Sequence, residues 1–275
     1  MASEPTSASP SERAEPLAGL PSAGEWGLVE ACLGWLASTF VAGLLFVLAL
    51  QSADFTSQPQ RPGGYAGRAI GQVSTGQALE DTAFPIAWQL LLLFPGWIIL
   101  LAVPWLFAGV LGRERPGWSL KGKPSDIGLG VISGLLLQVP ILIVVVMVMR
   151  LVFGEFEPSG RALALVDAAS ASPLLVVLLV VCVAVGAPVV EELFYRGLLQ
   201  PALIRLTNPV IGIAVASVLF GAVHFSVVEL LPLSVVGLVF GLLAHRTGRL
   251  LPAIVAHMTF NSFTLALLLI AGTAS

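Results

Sequence analysis

In this chain of 275 residues, 57% are hydrophobic and 11% charged, far below the roughly 25% charge of a water-soluble domain. A chain this poor in charge is expected to be all-α, a polytopic transmembrane helical bundle, because helices satisfy their own backbone in lipid. Its net charge of −3, with 13 basic residues scattered through short loops, excludes nucleic acid as a partner and leaves membrane lipid.

The first 29 residues, rich in Ser, Ala, Pro and Glu, read as a disordered N-terminal tail. Ala31 to Leu50 is uncharged and long enough to span. The polar stretch to Asp81 follows as an external loop, and Thr82 to Gly112, without a charge, returns as one crossing kinked by Pro85, Pro95 and Pro104. The linker with Arg113, Arg115, Lys121 and Lys123 against Glu114 alone is cytoplasmic by the positive-inside rule, which puts the N-terminus on that side too. Ile127 to Met149 then crosses outward and Arg150 to Ser172 forms a second external loop. From Leu174 the chain runs inward to a turn at Asn208-Pro209, outward to a turn near Pro232, inward to a turn at Arg246 to Arg249, and outward again. About seven spans result. Cys32 and Cys182, inside apolar runs, are read as small hydrophobes and not as a disulfide or metal ligands.

Inside the span that starts at Leu174 stands Glu191-Glu192-Leu193-Phe194-Tyr195-Arg196, three charges in an otherwise apolar run. Each costs roughly 2.5 to 3.5 kcal/mol at a bilayer centre, so the group needs a purpose. Two of the three histidines also lie in apolar stretches: His224 comes 33 residues after Glu191, and His257 another 33 later. With a turn at Asn208-Pro209, Glu191 and His224 each sit about 15 residues, roughly 22 Å, above it on adjacent antiparallel helices. The same counting brings His257 to a similar depth, at about 16 Å. His245, beside Arg246, is assigned to the aqueous edge.

Spacing sorts the roles. Adjacent helical residues point about 100° apart, so Glu191 and Glu192 cannot face one cavity equally. Arg196 is four residues after Glu192, the favourable order for an ion pair, which leaves Glu191 as the free carboxylate and candidate general base. Asn261 follows His257 by four, so the two share a face and can offer paired donors to an oxyanion. Phe220, four before His224, is expected to pack against its ring.

These residues, Glu191-Glu192-x-x-x-Arg196, Phe220-x-x-x-His224 and His257-x-x-x-Asn261, resemble in order the three motifs of the CPBP family of membrane-embedded CAAX proteases and bacteriocin-processing enzymes. The resemblance covers Pro188 to Asn261. It implies an intramembrane endopeptidase acting on a membrane-associated peptide or protein. Glu191 and His224 would activate water, His257 and Asn261 would hold the oxyanion, and Glu192 and Arg196 would support them. The chain is accordingly read as the tail (1–29), N-terminal transmembrane helices with their external loop (30–125) and a membrane-embedded domain (126–275) that holds the motifs and would be the protease domain. Two mechanisms stand equally open: a metal-free glutamate mechanism, and a zinc site on Glu191, His224 and His257 with water in the fourth place.

Plainer readings compete. The acidic pair taken alone is a structural ion pair, which accounts for Glu192 with Arg196 but not for Glu191. A proton-coupled transporter also buries Glu and His, although the paired halves it calls for are absent from the sequence. A non-proteolytic immunity or binding protein of the same fold is the third. Gly130-Val131-Ile132-Ser133-Gly134 has one residue too many for the Gly-x-Ser-Gly of a rhomboid serine protease.

Overall fold

The fold is known from a computed structural model, which describes residues 27–57, 86–110, 120–138, isolated positions between 143 and 170, and 172–272 apart from 225. Most of the expected tail and of both external loops lies outside these residues.

Seven helices make up the described part: α1 (Leu28–Ser57), α2 (Ile86–Val110), α3 (Pro124–Leu136), α4 (Pro173–Leu206), α5 (Pro209–Ala222), α6 (Val227–Thr247) and α7 (Leu251–Gly272). Segments of α1, α4, α6 and α7 are long and apolar enough to cross a membrane, while α2, α3 and α5 contribute shorter apolar runs. Phe40, Ile98, Val210 and Ile270 stand exposed on the outside of the bundle, as lipid-facing residues must. Both cysteines are free, Cys32 exposed and Cys182 buried.

Helix α2 is continuous through Pro95 and Pro104 and lies along α1. There the Ser38 hydroxyl donates to the Gly96 carbonyl at 2.8 Å. Helix α3 packs on α7 through two glycines four residues apart. A Cβ added to Gly130 would lie 2.6 Å from that of Val255, and one on Gly134 2.5 Å from the Ala256 carbonyl oxygen. The glycines weighed as a protease motif thus serve close helix packing. At the base of the same contact, Asp126 accepts two hydrogen bonds from Arg249, at 2.7 and 2.6 Å, and one from the Lys123 backbone N–H at 2.8 Å. The Arg249 and Lys123 bonds hold the Asp126 carboxyl below its ordinary range against the opposing effect of burial. The same partnership raises Arg249 further.

Helix α4 positions the site and is not uniformly α-helical. Val180–Gly186 and Tyr195–Leu199 are π-helical and flank the α-helical Ala187–Phe194. Such widened turns concentrate at functional sites. The α4–α5 turn falls where the sequence puts it: α4 ends at Leu206, and the Asn208 side chain caps α5 by accepting the Ile211 N–H at 3.0 Å, ahead of Pro209.

The next turn corrects the sequence reading. Helix α5 stops at Ala222 and α6 begins at Val227, so the chain reverses before Pro232, which lies inside α6. The physical reason is the cap at Ser226, whose hydroxyl accepts the Glu229 N–H at 3.3 Å. Helix α6 ends at Gly248, with φ +63°, a left-handed conformation that glycine adopts without strain. His245, in its last turn, is half-buried and not fully solvated.

Candidate active site

The centre of the site is the Glu192 carboxylate, which is 0% exposed. Its Oε1 accepts the Arg196 guanidinium at 2.8 Å and His257 Nδ1 at 2.9 Å. The first bond is the pair expected from the four-residue spacing; the second joins α4 to α7 across 65 residues. Arg196, 1% exposed, also donates to the Gly237 carbonyl on α6 at 2.9 Å, and its guanidinium carbon lies 4.6 Å from the Phe220 ring centre. Four residues further along α4, buried Gln200 repeats the pattern by donating to the Gly241 carbonyl at 3.1 Å. Glu192, Arg196 and Gln200 thus form a polar row between α4, α6 and α7. Glu192 Oε2, Arg196 Nε and Gln200 Oε1 have no hydrogen-bond partner among the described residues.

Glu191 differs from its neighbour in the way a 100° step requires. Its side chain is 25% exposed, and its Oε2 lies 3.9 Å from His257 Nε2. One carboxylate is therefore enclosed behind His257 and the other opens in front of it.

An ionised carboxylate only accepts, so the Glu192 contact fixes a proton on His257 Nδ1 and turns Nε2 toward Glu191. The ring stacks on Phe240 with centroids 4.8 Å apart and meets Phe220 edge-on at 5.6 Å. His224 is oriented by the same principle: its Nδ1 faces the Phe220 carbonyl at 2.9 Å, an acceptor only, so its reactive nitrogen is also Nε2. His224 lies in the α5–α6 turn instead of within a helix, half-buried, with its ring edge-on to Phe220 at 5.5 Å. Phe220 therefore touches both histidines and the Arg196 guanidinium, a wider role than packing against one ring. Tyr195 is buried in the same cluster, its ring 5.3 Å from that of Phe220.

Asn261 shares the His257 face of α7, and its Nδ2 donates to the Val183 carbonyl at 2.8 Å. One of its two N–H groups is thus committed to the backbone of α4. A zinc ion held by Glu191, His224 and His257 would need three ligand atoms about 2 Å from a single point. Among the described residues, no three His, Cys, Asp or Glu side chains are grouped to hold a metal ion. These side chains do not form a ready zinc set.

Residues 173–263 match the type II CAAX prenyl endopeptidase Rce1-like family. The matched segment carries the three motifs and contains Glu191, Glu192, Arg196, His224, His257 and Asn261. The chain is also 32% identical over 112 residues to a Bacillus subtilis (strain 168) protein described as "Putative membrane peptidase YdiL". That alignment covers 41% of this chain and 44% of the relative's length. No solved structure matches the chain. The apolar helices and the Rce1-like segment together identify an integral membrane protein.

The sequence reading passed over Gln200 and Gly237. Gln200 continues the four-residue series begun by Glu192 and Arg196, a signal present in the sequence. Gly237 takes part through its carbonyl, for which the sequence offers no sign.

Proposed function

We propose that the protein is an intramembrane endopeptidase that hydrolyses a peptide bond in a membrane-associated substrate, with Glu191 and His224 activating the attacking water. The observation that carries this reading is the contact of His257 with both members of the acidic pair. Its Nδ1 bonds enclosed Glu192 and its Nε2 faces open Glu191. A purely structural ion pair needs only Glu192 and Arg196.

In this reading the Glu191 carboxylate takes a proton from water as the oxygen attacks the substrate carbonyl carbon, with His224 Nε2 orienting the water. The carbonyl electrons move to oxygen. That oxyanion receives hydrogen bonds from protonated His257 Nε2 and from the second N–H of Asn261. Collapse expels the amine, which takes its proton from Glu191, and the carboxylate is restored. Glu192 holds the imidazolium, as a buried aspartate does in a serine protease triad. Arg196 holds the Glu192 carboxylate in place through its 2.8 Å bond.

Similarity to the Rce1-like family favours a prenylated C-terminal peptide as the first candidate substrate, with a leader peptide or a membrane-protein fragment as the others. Access from the cytoplasm and a cytoplasmic N-terminus complete the proposal. They are supported by the Asp126–Arg249 bond, which brings the Lys121–Lys123 linker and the Arg246–Arg249 turn to one end of the bundle. The test is a comparison of protein termini in membranes with and without a functional copy. Peptidase activity yields new termini that depend on the protein; identical termini in the two membranes would refute it.

A further inference from the structure

Between residues 182 and 188, α4 creates a vacancy in its own hydrogen bonding. In the π-helical register the Ala187 N–H bonds the Cys182 carbonyl, five residues back. The Val183 carbonyl would next receive the N–H of residue 188. Residue 188 is proline and has none. In the α register the donor to Val183 would be Ala187, already committed to Cys182. A carbonyl left without a donor is costly in a helix that crosses lipid. The donor found there is the Asn261 carboxamide, 2.8 Å away and 78 residues along the chain.

We propose that Pro188 recruits Asn261 as a positioning partner of α4: by withholding the N–H that Val183 would accept, it draws the Asn261 side chain across and sets the register of Glu191 against His257. Helix α7 is then pinned to α4 by two contacts, Asn261 on Val183 and His257 on Glu192, one helical turn apart along α7 and nine residues apart along α4. Two contacts at different heights fix both rotation and translation, where one would leave α7 free to pivot. The remaining N–H of Asn261 is thereby held on the His257 face. The proposal rests on the peptidase reading for its consequence in catalysis, but the linkage itself does not.

The test is a double-mutant cycle of Asn261→Ala and Pro188→Ala in the full chain, read by unfolding in lipid micelles. Asn261→Ala orphans the Val183 carbonyl and is expected to raise the unfolding constant about tenfold to a hundredfold. In the Pro188→Ala background the backbone can supply the missing N–H, so the same substitution should cost less than about threefold. Equal costs in the two backgrounds would overturn the linkage. Should Asn261→Ala not purify, Asn261→Asp, isosteric but without an N–H, is read in the same way, and Pro188→Ala is expected to rescue it. Once a substrate is in hand, Pro188→Ala assayed well below its Tm should lower kcat several-fold with KM unchanged. An unchanged kcat would reduce Pro188 to a packing residue and overturn its positioning role. The unfolding cycle uses no substrate, so its failure leaves the peptidase reading intact, and failure of that reading leaves the cycle interpretable.

Discussion

Replacing Arg196 with Met tests how the buried row is held together. The substitution keeps most of the apolar stem but removes the 2.8 Å bond to Glu192 and the 2.9 Å bond to the Gly237 carbonyl. Glu192, 0% exposed, is left with His257 as its only side-chain hydrogen-bond partner among the described residues. Breaking one side of a buried ion pair costs about 3–5 kcal/mol, because the remaining charge is desolvated and uncompensated. Glu192→Leu strands Arg196 and carries a similar cost. The double variant removes both charges and should cost far less than the sum, with a coupling of at least about 2 kcal/mol. Reversible unfolding in lipid micelles, followed by circular dichroism, measures all four corners of the cycle. Single costs that add to within about 0.5 kcal/mol would refute the claim that the two charges depend on each other.

Other outcomes follow from the packing and the ends of the bundle. Gly134→Ala drives a methyl against the Ala256 carbonyl and should destabilise by about 1–3 kcal/mol, whereas Gly128→Ala, with nothing within 4 Å, should be neutral or slightly stabilising by thermal unfolding. Asp126 has a depressed pKa in the fold, so its contribution is fully present above the unfolded value near 3.9 and is lost as pH falls through the lower folded value. A Tm-against-pH series should therefore show an acid-side loss that Asp126→Asn removes. Metal analysis of the purified protein, with and without His257→Ala, should find zinc well below one per chain in both; stoichiometric zinc that disappears with His257 would restore the metal mechanism.

Much of the site was legible because its determinants are local. The Glu192 to Arg196 spacing, the Asn208-Pro209 start signal and the shared face of His257 and Asn261 all act within one or two helical turns. The α5–α6 turn was misplaced because Pro232 outweighed a better signal, the Ser226-x-x-Glu229 pattern that begins α6. His224 consequently sits in a turn and not within a helix. Other features depend on partners far away in sequence. Asp126 finds Arg249 across 123 residues. Glu30 is fully buried at the start of α1, where it accepts the Gly27 N–H at 2.9 Å and attracts the Arg205 charge. Neither pairing leaves a mark in local periodicity. The donor for the Val183 carbonyl was equally hidden, although the proline that frees that carbonyl was in plain view.

The central claim is that Glu191 and His224 do chemistry while Glu192 and Arg196 hold the frame. Its most direct measurement is processing of the native substrate by Glu191→Gln and His224→Ala proteins whose insertion and Tm match the parent. Normal insertion is expected, with a loss of turnover of at least about a hundredfold in each. Processing at the parental rate by either variant would contradict it.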